Sequence, residues 1–129
     1  PDLVIDPVAV RLEMANEIWE HIKALRDKKL ISGFKVGTKW FHSDNFSRTQ
    51  MLGLIMMGSR ITSGLQWKTM DGSFVEMTPT LAAQVGGAAM MSDTALFAAA
   101  QQHKEALFKH ASPYEYDYSV GWPETFEKT

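Results

Sequence analysis

The spacing of apolar residues along the chain predicts the positions of its first two helices. Apolar side chains recur at steps of three and four residues over about residues 7–30, which predicts an amphipathic helix. Asp6 precedes it as an N-cap, and the proline that follows suits the first turn. A second helix of about 14 residues is predicted after Asp44, another candidate cap. Because Leu52 and Met56 widen its apolar face, we expect this middle helix to be nearly buried.

The longest apolar pattern begins after Thr78, which can cap a helix whose first turn holds Pro79. An apolar stripe then continues for about 30 residues. Two consecutive glycines and a Ser-Asp pair that can form a fresh N-cap interrupt this stripe. We therefore predict either two helices or one helix that is broken near residue 91. Pro113 ends the helical region, and alternating tyrosines beyond it predict an extended arm.

Two hairpins are predicted where short runs of aromatic and β-branched residues flank a turn. Gly37 and Thr38 form a glycine-first pair between the first two strands, which suits a type II′ turn. Asp71 and Gly72 separate the second pair of strands and favour a two-residue type I′ turn, because both accept positive φ at low cost. Asp71 is therefore interpreted first of all as a turn residue, and not as an exposed acid of an active site.

Together these elements predict an α+β fold. It consists of an N-terminal helix, two short β-hairpins with a buried middle helix, a long broken C-terminal helix and an extended aromatic arm. The 129 residues, of which 45% are hydrophobic and 22% charged, suit one globular domain. We divide the chain into a linker at residues 1–7, a single domain at 8–112 and a C-terminal arm at 113–129. Because the chain begins with proline and not with methionine, it is expected to be either processed or a segment of a longer protein, and its first residues are interpreted as an extended linker.

Charge and cysteine content narrow the classes of partner. The chain has 13 basic and 15 acidic side chains and no cluster of Lys or Arg, so nucleic acid is not an expected partner. No apolar run approaches the roughly 20 residues that cross a bilayer, so membrane insertion is not expected. The lack of cysteine excludes disulfides and thiolate ligands, and is compatible with assembly in a reducing cytoplasm.

No catalytic, metal or cofactor site is predicted, and we expect a protein that is not an enzyme. His103 and His110 are two helical turns apart, which is too far for one metal ion. His42 and Asp44 lie two residues apart, but the sequence identifies no third ligand, and helix capping by Asp44 is the simpler interpretation. The chain contains no phosphate-binding loop, no nucleophile elbow and no sign of paired catalytic carboxylates.

Aromatic residues are the best candidates for a protein–protein interface. The eight methionines are interpreted mainly as core residues, although flexible thioethers also suit a binding groove. Tyrosine and tryptophan suit surfaces that are apolar on one side and wet on the other, so the arm binds either its own domain or another subunit. The interface candidates are Trp19, Tyr114, Tyr116, Tyr118 and Trp122.

Three segments of the chain resemble a domain of unknown function found in tailed-bacteriophage and prophage tail proteins. They are "GTKWFHSDNFSRTQMLGLIMMG", "GLQWKTMDGSFVEMTPTLAAQV" and "YDYSVGWP", within a likeness that spans about residues 20–123. Domains of this kind often lie at the C-terminal end of proteins encoded beside tail-fibre genes. The family has no established catalytic residues, so the resemblance implies a setting and not a reaction.

In that setting the chain is expected to be a non-enzymatic structural protein of the phage tail. It would lie in the virion after assembly in the bacterial cytoplasm, with other tail or tail-fibre proteins as partners. Self-association is also expected, for example as a trimer, because tail fibres usually are trimers. Two alternatives stay open, namely a tail-fibre assembly chaperone and an adhesion module. The latter would bind host-surface sugar through Trp40, Trp67 and Trp122, with at least two of these rings exposed side by side.

Overall fold

A computed structural model of the protein describes residues 4–126, in which three α-helices accompany two small antiparallel sheets of two strands each. This mixture of helices and sheets confirms the predicted fold class at that level. Residues 1–3 of the predicted linker and 127–129 of the predicted arm lie outside the described residues. The α-helices and strands are, in order, α1 (Pro7–Leu30), β1 (Phe34–Val36), β2 (Lys39–Phe41), α2 (Asn45–Met57), β3 (Gln66–Lys68), β4 (Phe74–Glu76) and α3 (Pro79–Lys109). Two short 3₁₀ helices, Gly58–Arg60 and Pro113–Glu115, follow α2 and α3, and the second shows that the predicted arm is not extended at its start.

The helices begin at the predicted capping residues. Asp6 accepts a hydrogen bond from the amide of Val8 at 2.9 Å, and Asp44 accepts one from the amide of Ser47 at 3.2 Å. The hydroxyl of Thr78 caps α3 in the same way at 3.0 Å. Each bond satisfies an amide that has no partner inside the first helical turn. The starts of all three helices were therefore predicted correctly.

The predicted break in the last helix is wrong, because α3 continues without interruption for 31 residues. Gly86 does not break it, since the missing side chain leaves room for Ile55 of α2 to pack against the helix. Asp93 does not begin a new helix, because the guanidinium of Arg48 donates two hydrogen bonds to its carboxylate, at 2.7 and 2.9 Å. Packing between α2 and α3 thus outweighs the local preference for a break.

The middle helix is also less buried than predicted. Only Met51 and Leu54 of α2 are buried. Leu52 and Met56, which the sequence pattern assigns to a buried face, are exposed. One side of α2 packs against α3, and within residues 4–126 no further element covers the opposite side. Only part of the broad apolar face of α2 is therefore buried inside the domain.

The second hairpin closes through a longer loop than predicted. Its last strand pair is Lys68 with Phe74, which leaves five residues, 69–73, in the loop. Gly72 has a positive φ of 86°, but Asp71 does not, so the turn is not of type I′. The Asp71 carboxylate instead accepts hydrogen bonds from the amide and the hydroxyl of Ser73, at 2.8 and 2.5 Å. A side chain therefore organises this loop. The first hairpin, by contrast, has its glycine at φ 62° in the first turn position, as predicted.

Contacts at their turns join the two hairpins. The amide of Met70 donates to the carbonyl of Trp40 at 2.9 Å. The ammonium of Lys39 donates to the Asp71 carboxylate at 3.0 Å. Gly33, which has φ 91°, lacks a side chain where the sulfur of Met70 lies against it. Because the hairpins are fixed to each other, they act as one layer against the helices.

Buried side chains form two hydrophobic clusters along α3. The first lies among the hairpins, α2 and the N-terminal half of α3, and includes Phe34, Phe41, Leu54, Met77 and Val85. The second lies between α1 and the C-terminal half of α3, and includes Ala15, Ile18, Ile22, Ala100 and Leu107. The segment after α3 folds back over the second cluster. In the structure the arm therefore lies on its own domain.

Candidate interaction surfaces

The helices α2 and α3 lie side by side and run in opposite directions. Near the start of α2, Arg48 pairs with Asp93 at 2.7 Å. Seven residues later, Ile55 lies against Gly86, which is seven residues earlier in α3. The same antiparallel register places Leu52 at the level of Ala89, the residue before Met90. The outward sides of both helices therefore form one continuous surface.

This surface is strongly apolar. Leu52 and Met56 of α2 are 58% and 73% exposed, and Met90 and Met91 of α3 are 68% and 76% exposed. Monomeric proteins in water seldom expose large contiguous apolar patches, and such patches usually mark interaction sites. We call this surface the α2–α3 face. It consists of Leu52, Ile55, Met56, Ala83, Gly87, Met90, Met91, Thr94 and Ala98, all of which are exposed.

The α2–α3 face also lacks free charge. In α2 and in residues 80–102 of α3, the only charged residues are Arg48 and Asp93. These two side chains form an ion pair with each other, so neither carries an unpaired charge. A helix surface that faces water normally carries several charged residues. The composition of this face is therefore that of a buried surface.

Two glycines of these helices have no packing role within residues 4–126. A Cβ atom added at Gly53 or at Gly87 would meet nothing within 4 Å, in contrast to one at Gly86. A glycine inside a helix costs about 1 kcal/mol relative to alanine, so neither glycine benefits the isolated domain. Further along α3, an open groove of about 400 Å³ is lined by Met90, Met91, Thr94, Ala95 and Ala98. The surface of α3 is thus shaped for the close approach of another chain.

The sequence analysis did not identify this face, because it assigned the methionines mainly to the core. That interpretation holds for Met51 and Met77, which are buried, but it is wrong for Met56, Met90 and Met91. An apolar pattern does not distinguish a buried core face from a buried interface. The available signal was the near absence of charge over the whole of α2 and most of α3.

The predicted arm is held in place by His103, which is buried in α3. A carbonyl oxygen only accepts hydrogen bonds, so Nε2–H of His103 donates to the carbonyl of Val120 at 2.7 Å. In the neutral ring Nδ1 then accepts from the hydroxyl of Tyr116 at 2.6 Å. The ring of Trp122 lies against the imidazole, with centroids 5.1 Å apart, and its Nε1–H donates to the carbonyl of Tyr118 at 2.7 Å. Both nitrogens of His103 are therefore used to bind the arm.

The other predicted interface residues take part in the same attachment. Tyr114 donates a hydrogen bond to Glu17 of α1 at 2.5 Å, and this bond raises the pKa of the tyrosine above its ordinary value. Burial, with a smaller contribution from a neighbouring carboxylate, raises the pKa of Tyr116. Trp19 is half-buried in the second cluster, and the ammonium of Lys104 lies 5.1 Å from its ring centre. These aromatic residues bind the arm to α1 and α3.

The three tryptophans predicted for adhesion do not lie side by side. Trp67 packs against the first hydrophobic cluster and Trp122 against the second, while Trp40 meets Phe126 edge-on at 6.2 Å. All three are half-buried. Trp67 lines an open cleft of about 420 Å³ together with Phe46, Phe74 and the polar side chains of His42, Gln50 and Gln66. Trp40 lines a different open cleft, of about 360 Å³, together with Lys35, Met91 and Pro123. Two rings of the predicted set therefore face clefts, but not the same one.

The acidic residues that the sequence assigned to turns and caps have those roles. Hydrogen bonds from Ser73, followed by those from Lys39 and Thr69, hold the pKa of Asp71 well below its ordinary value. A hydrogen bond from the Ser47 hydroxyl lowers the pKa of Asp44. Within residues 4–126, no group of three or more His, Asp and Glu side chains is arranged to hold a metal ion. Over the same residues, no helix has both the length and the apolar character of a membrane span.

Comparison with known protein families assigns most of the chain to one domain. Residues 13–120 match the family model described as "Domain of unknown function (DUF4376)". No curated protein and no solved structure matches the chain. The matched range contains both hairpins, α2 and α3, so the α2–α3 face and the attachment of the arm through His103 both belong to the family domain.

Proposed function

The chain belongs to the DUF4376 family, and on that premise we propose that it is a structural protein of a bacteriophage tail that acts through protein–protein contacts. The tail setting is supported by the resemblance of its three sequence segments to tail-protein domains. The protein would be assembled in the bacterial cytoplasm and located in the virion tail, with other tail or tail-fibre proteins as partners. In this proposal it does not catalyse a reaction and uses no cofactor.

The observation that carries the proposal is the α2–α3 face. Burial of apolar surface contributes about 25 cal/mol per Å², and a fully buried methionine side chain contributes roughly 1.5–3 kcal/mol. Met56, Met90 and Met91 are largely exposed, so a partner that covers them gains this free energy without any change in the fold. Their flexible thioethers adapt to the shape of a partner surface. The face is therefore suited to a permanent contact in an assembly.

The copy number of the protein in purified phage particles tests this proposal. We expect quantitative mass spectrometry to find it in a fixed ratio to the known tail proteins. A genomic Met91→Lys substitution should reduce its incorporation, because it places a charge on the α2–α3 face. The matched control is Val8→Lys on α1, which changes a residue that is 55% exposed and lies outside this face. Absence of the protein from intact particles would overturn a structural role and favour the assembly-chaperone alternative.

The adhesion alternative is supported by one feature, the cleft beside Trp67. Phe46 and Phe74 are exposed there, and Gln50 and Gln66 offer amide donors and acceptors next to the aromatic rings. Apolar surface with a few polar groups is the usual composition of a small-ligand site. Titration of host surface polysaccharide, followed by tryptophan fluorescence, tests this alternative. A saturable change that Gln50→Ala and Gln66→Ala remove would support it, and no change would exclude adhesion through this cleft.

A further inference from the structure

We infer that a second copy of this chain covers the α2–α3 face. The two antiparallel α2–α3 pairs then pack face to face, as a four-helix arrangement about a two-fold axis. The inference rests on the proposed function in one respect, namely that this face is an interface. It adds the identity of the partner and the geometry of the contact. Three properties of the face support the inference, namely its lack of unpaired charge, the position of Gly87 and its area.

The charge pattern favours a partner with an equally neutral surface. The only two charged side chains of this region, Arg48 and Asp93, bind each other with two hydrogen bonds. No remaining charge on the face selects an oppositely charged partner. Two copies of the face bring no like charges together, whereas most other surfaces of a chain with 28 charged side chains would do so. An uncharged apolar face is therefore complementary to itself.

The position of Gly87 fits a two-fold crossing. In a two-fold dimer each residue on the axis meets the same residue of the other copy. Two identical helices approach closely only if that residue is very small. Gly87 lies on the outward side of α3, its added Cβ would meet nothing, and Ala83 and Thr94 continue the row of small residues on either side. A crossing at Gly87 explains why a helix-weakening residue occupies an open position.

The dimensions of the face are sufficient for a specific dimer. Residues 80–102 of α3 extend over about 34 Å and α2 over about 20 Å, at 1.5 Å per residue. With a spacing of about 10 Å between packed helices, the two outward sides cover on the order of 500 Å². Two copies would bury on the order of 1,000 Å² in total, the size at which specific interfaces begin. Exposed methionines at the centre provide the apolar core that such an interface needs.

Sedimentation equilibrium of the full chain tests the inference. We expect twice the monomer mass in the micromolar range. Met91→Lys should weaken association on the order of 100-fold or more, because the dimer would bury an unpaired charge. Val8→Lys on α1 is the matched control and should leave association unchanged. Circular dichroism of each variant verifies that the helices are intact. A monomer at all concentrations, or a trimer, would overturn the inference.

Disulfide trapping tests the axis itself. The chain has no cysteine, so a single Gly87→Cys substitution introduces the only thiol. A disulfide requires Cα atoms within about 7 Å, a distance that the same residue of both copies reaches only near the axis. Mild oxidation should therefore convert Gly87→Cys to a covalent dimer, whereas the exposed Val8→Cys should stay monomeric on a denaturing gel. Equal cross-linking of both variants would contradict the two-fold crossing.

The particle experiment distinguishes a failure of this inference from a failure of the proposed function. If the purified chain is monomeric but Met91→Lys still reduces incorporation into particles, the face binds a different tail protein and the inference alone is wrong. If the chain is a dimer but is absent from particles, the inference holds and the structural role in the tail is wrong.

Discussion

At the residue scale, a few polar side chains connect parts of the chain that are distant in sequence. Asp71 joins the loop of the second hairpin to Lys39 of the first. His103 joins α3 to Tyr116 and Val120 of the arm. Each of these groups replaces its hydrogen bonds to water by bonds within the protein. For the buried His103, removing one partner therefore costs more than the average hydrogen bond contributes, whereas water can replace a bond that the exposed Asp71 loses.

Asp71→Asn should reduce the loss of stability in acid. The unfolded pKa of aspartate is about 3.9. The folded pKa of Asp71 is lower, because hydrogen bonds from Ser73, Lys39 and Thr69 favour the carboxylate. Its contribution to stability is therefore present above pH ~4 and is lost as the pH falls towards the folded pKa. Urea unfolding at neutral pH and at about pH 3 should show a smaller difference for Asp71→Asn than for the natural sequence.

The control for this measurement is Glu105→Gln, which removes an exposed acid of α3 that has no hydrogen-bond partner among the described side chains. It should leave the acid dependence unchanged. An Asp71→Asn protein that loses as much stability in acid as the natural sequence would contradict the role assigned to this carboxylate.

Tyr116→Phe should destabilise the protein by about 1–3 kcal/mol, because buried Nδ1 of His103 would lose its hydrogen-bond donor. Tyr114→Phe is a matched control. It removes a hydroxyl that bonds to Glu17 at the surface, where water replaces the lost bond, and should cost clearly less than Tyr116→Phe. Urea denaturation, followed by the fluorescence of Trp122 and the other tryptophans, measures both. Equal losses in the free energy of unfolding for the two variants would show that the hydrogen bond to His103 contributes no more to stability than the bond to Glu17.

At the element scale, the packing of α2 on α3 explains both the continuity of α3 and the origin of the exposed face. Arg48 donates to the carbonyls of Leu30 and Ser43 as well as to Asp93, at 2.8, 2.6 and 2.7 Å. One side chain thus connects the end of α1, the start of α2 and the middle of α3. Arg48 therefore holds α2 and α3 together near the start of α2. The outward surface of the helix pair takes no part in these contacts.

The consecutive glycines of α3 should respond differently to the same substitution. Gly87→Ala should stabilise the monomer by about 0.5–1 kcal/mol, because the added methyl group meets nothing and alanine favours the helix. Gly86→Ala places its Cβ 2.6 Å from Cδ1 of Ile55, so this side chain must shift and the gain is reduced or reversed. Thermal unfolding in a Met91→Lys background separates this effect from association. An equal rise in Tm for both variants would contradict the packing of α2 on α3.

At the scale of the whole molecule, α3 is shared by two hydrophobic clusters that are covered differently. The second cluster is closed by the arm, whose aromatic residues were the predicted interface candidates. The first is closed by the hairpins and by the inner side of α2. The outer side of the same helix pair forms the α2–α3 face. The aromatic residues of the arm thus stabilise the domain, and the methionines offer the larger surface to a partner.

A chain that ends at residue 112 should be less stable than the full chain but should still associate. Without the arm, His103 loses its partners and the cluster around Ile22 and Leu107 loses its cover. The α2–α3 face contains no residue of the arm and stays available. Light scattering coupled to size-exclusion chromatography and urea unfolding measure the two properties. Association of the full chain alone would show that the arm carries the contact.

Local sequence signals were sufficient for the starts of the helices and for the turn of the first hairpin. The capping residues Asp6, Asp44 and Thr78 and the glycine-first turn at Gly37 act through bonds within a few residues, so they are visible in the sequence. The predicted break in α3 and the type I′ turn at Asp71 failed for the opposite reason. Asp93 is bound by Arg48, 45 residues away. Asp71 is bound by Ser73 within its own loop and also by Lys39 of the other hairpin, 32 residues away.

The sequence by itself determined the mixed fold class, the starts of the helices, the two hairpins and the neutral, apolar composition of α2 and most of α3. Only the tertiary structure decided which apolar side each cluster buries and which side is left for a partner. The physical reason is that the hydrophobic effect has no direction. An apolar stripe gains the same free energy against its own domain as against another chain, and only the arrangement of the elements separates the core from the α2–α3 face.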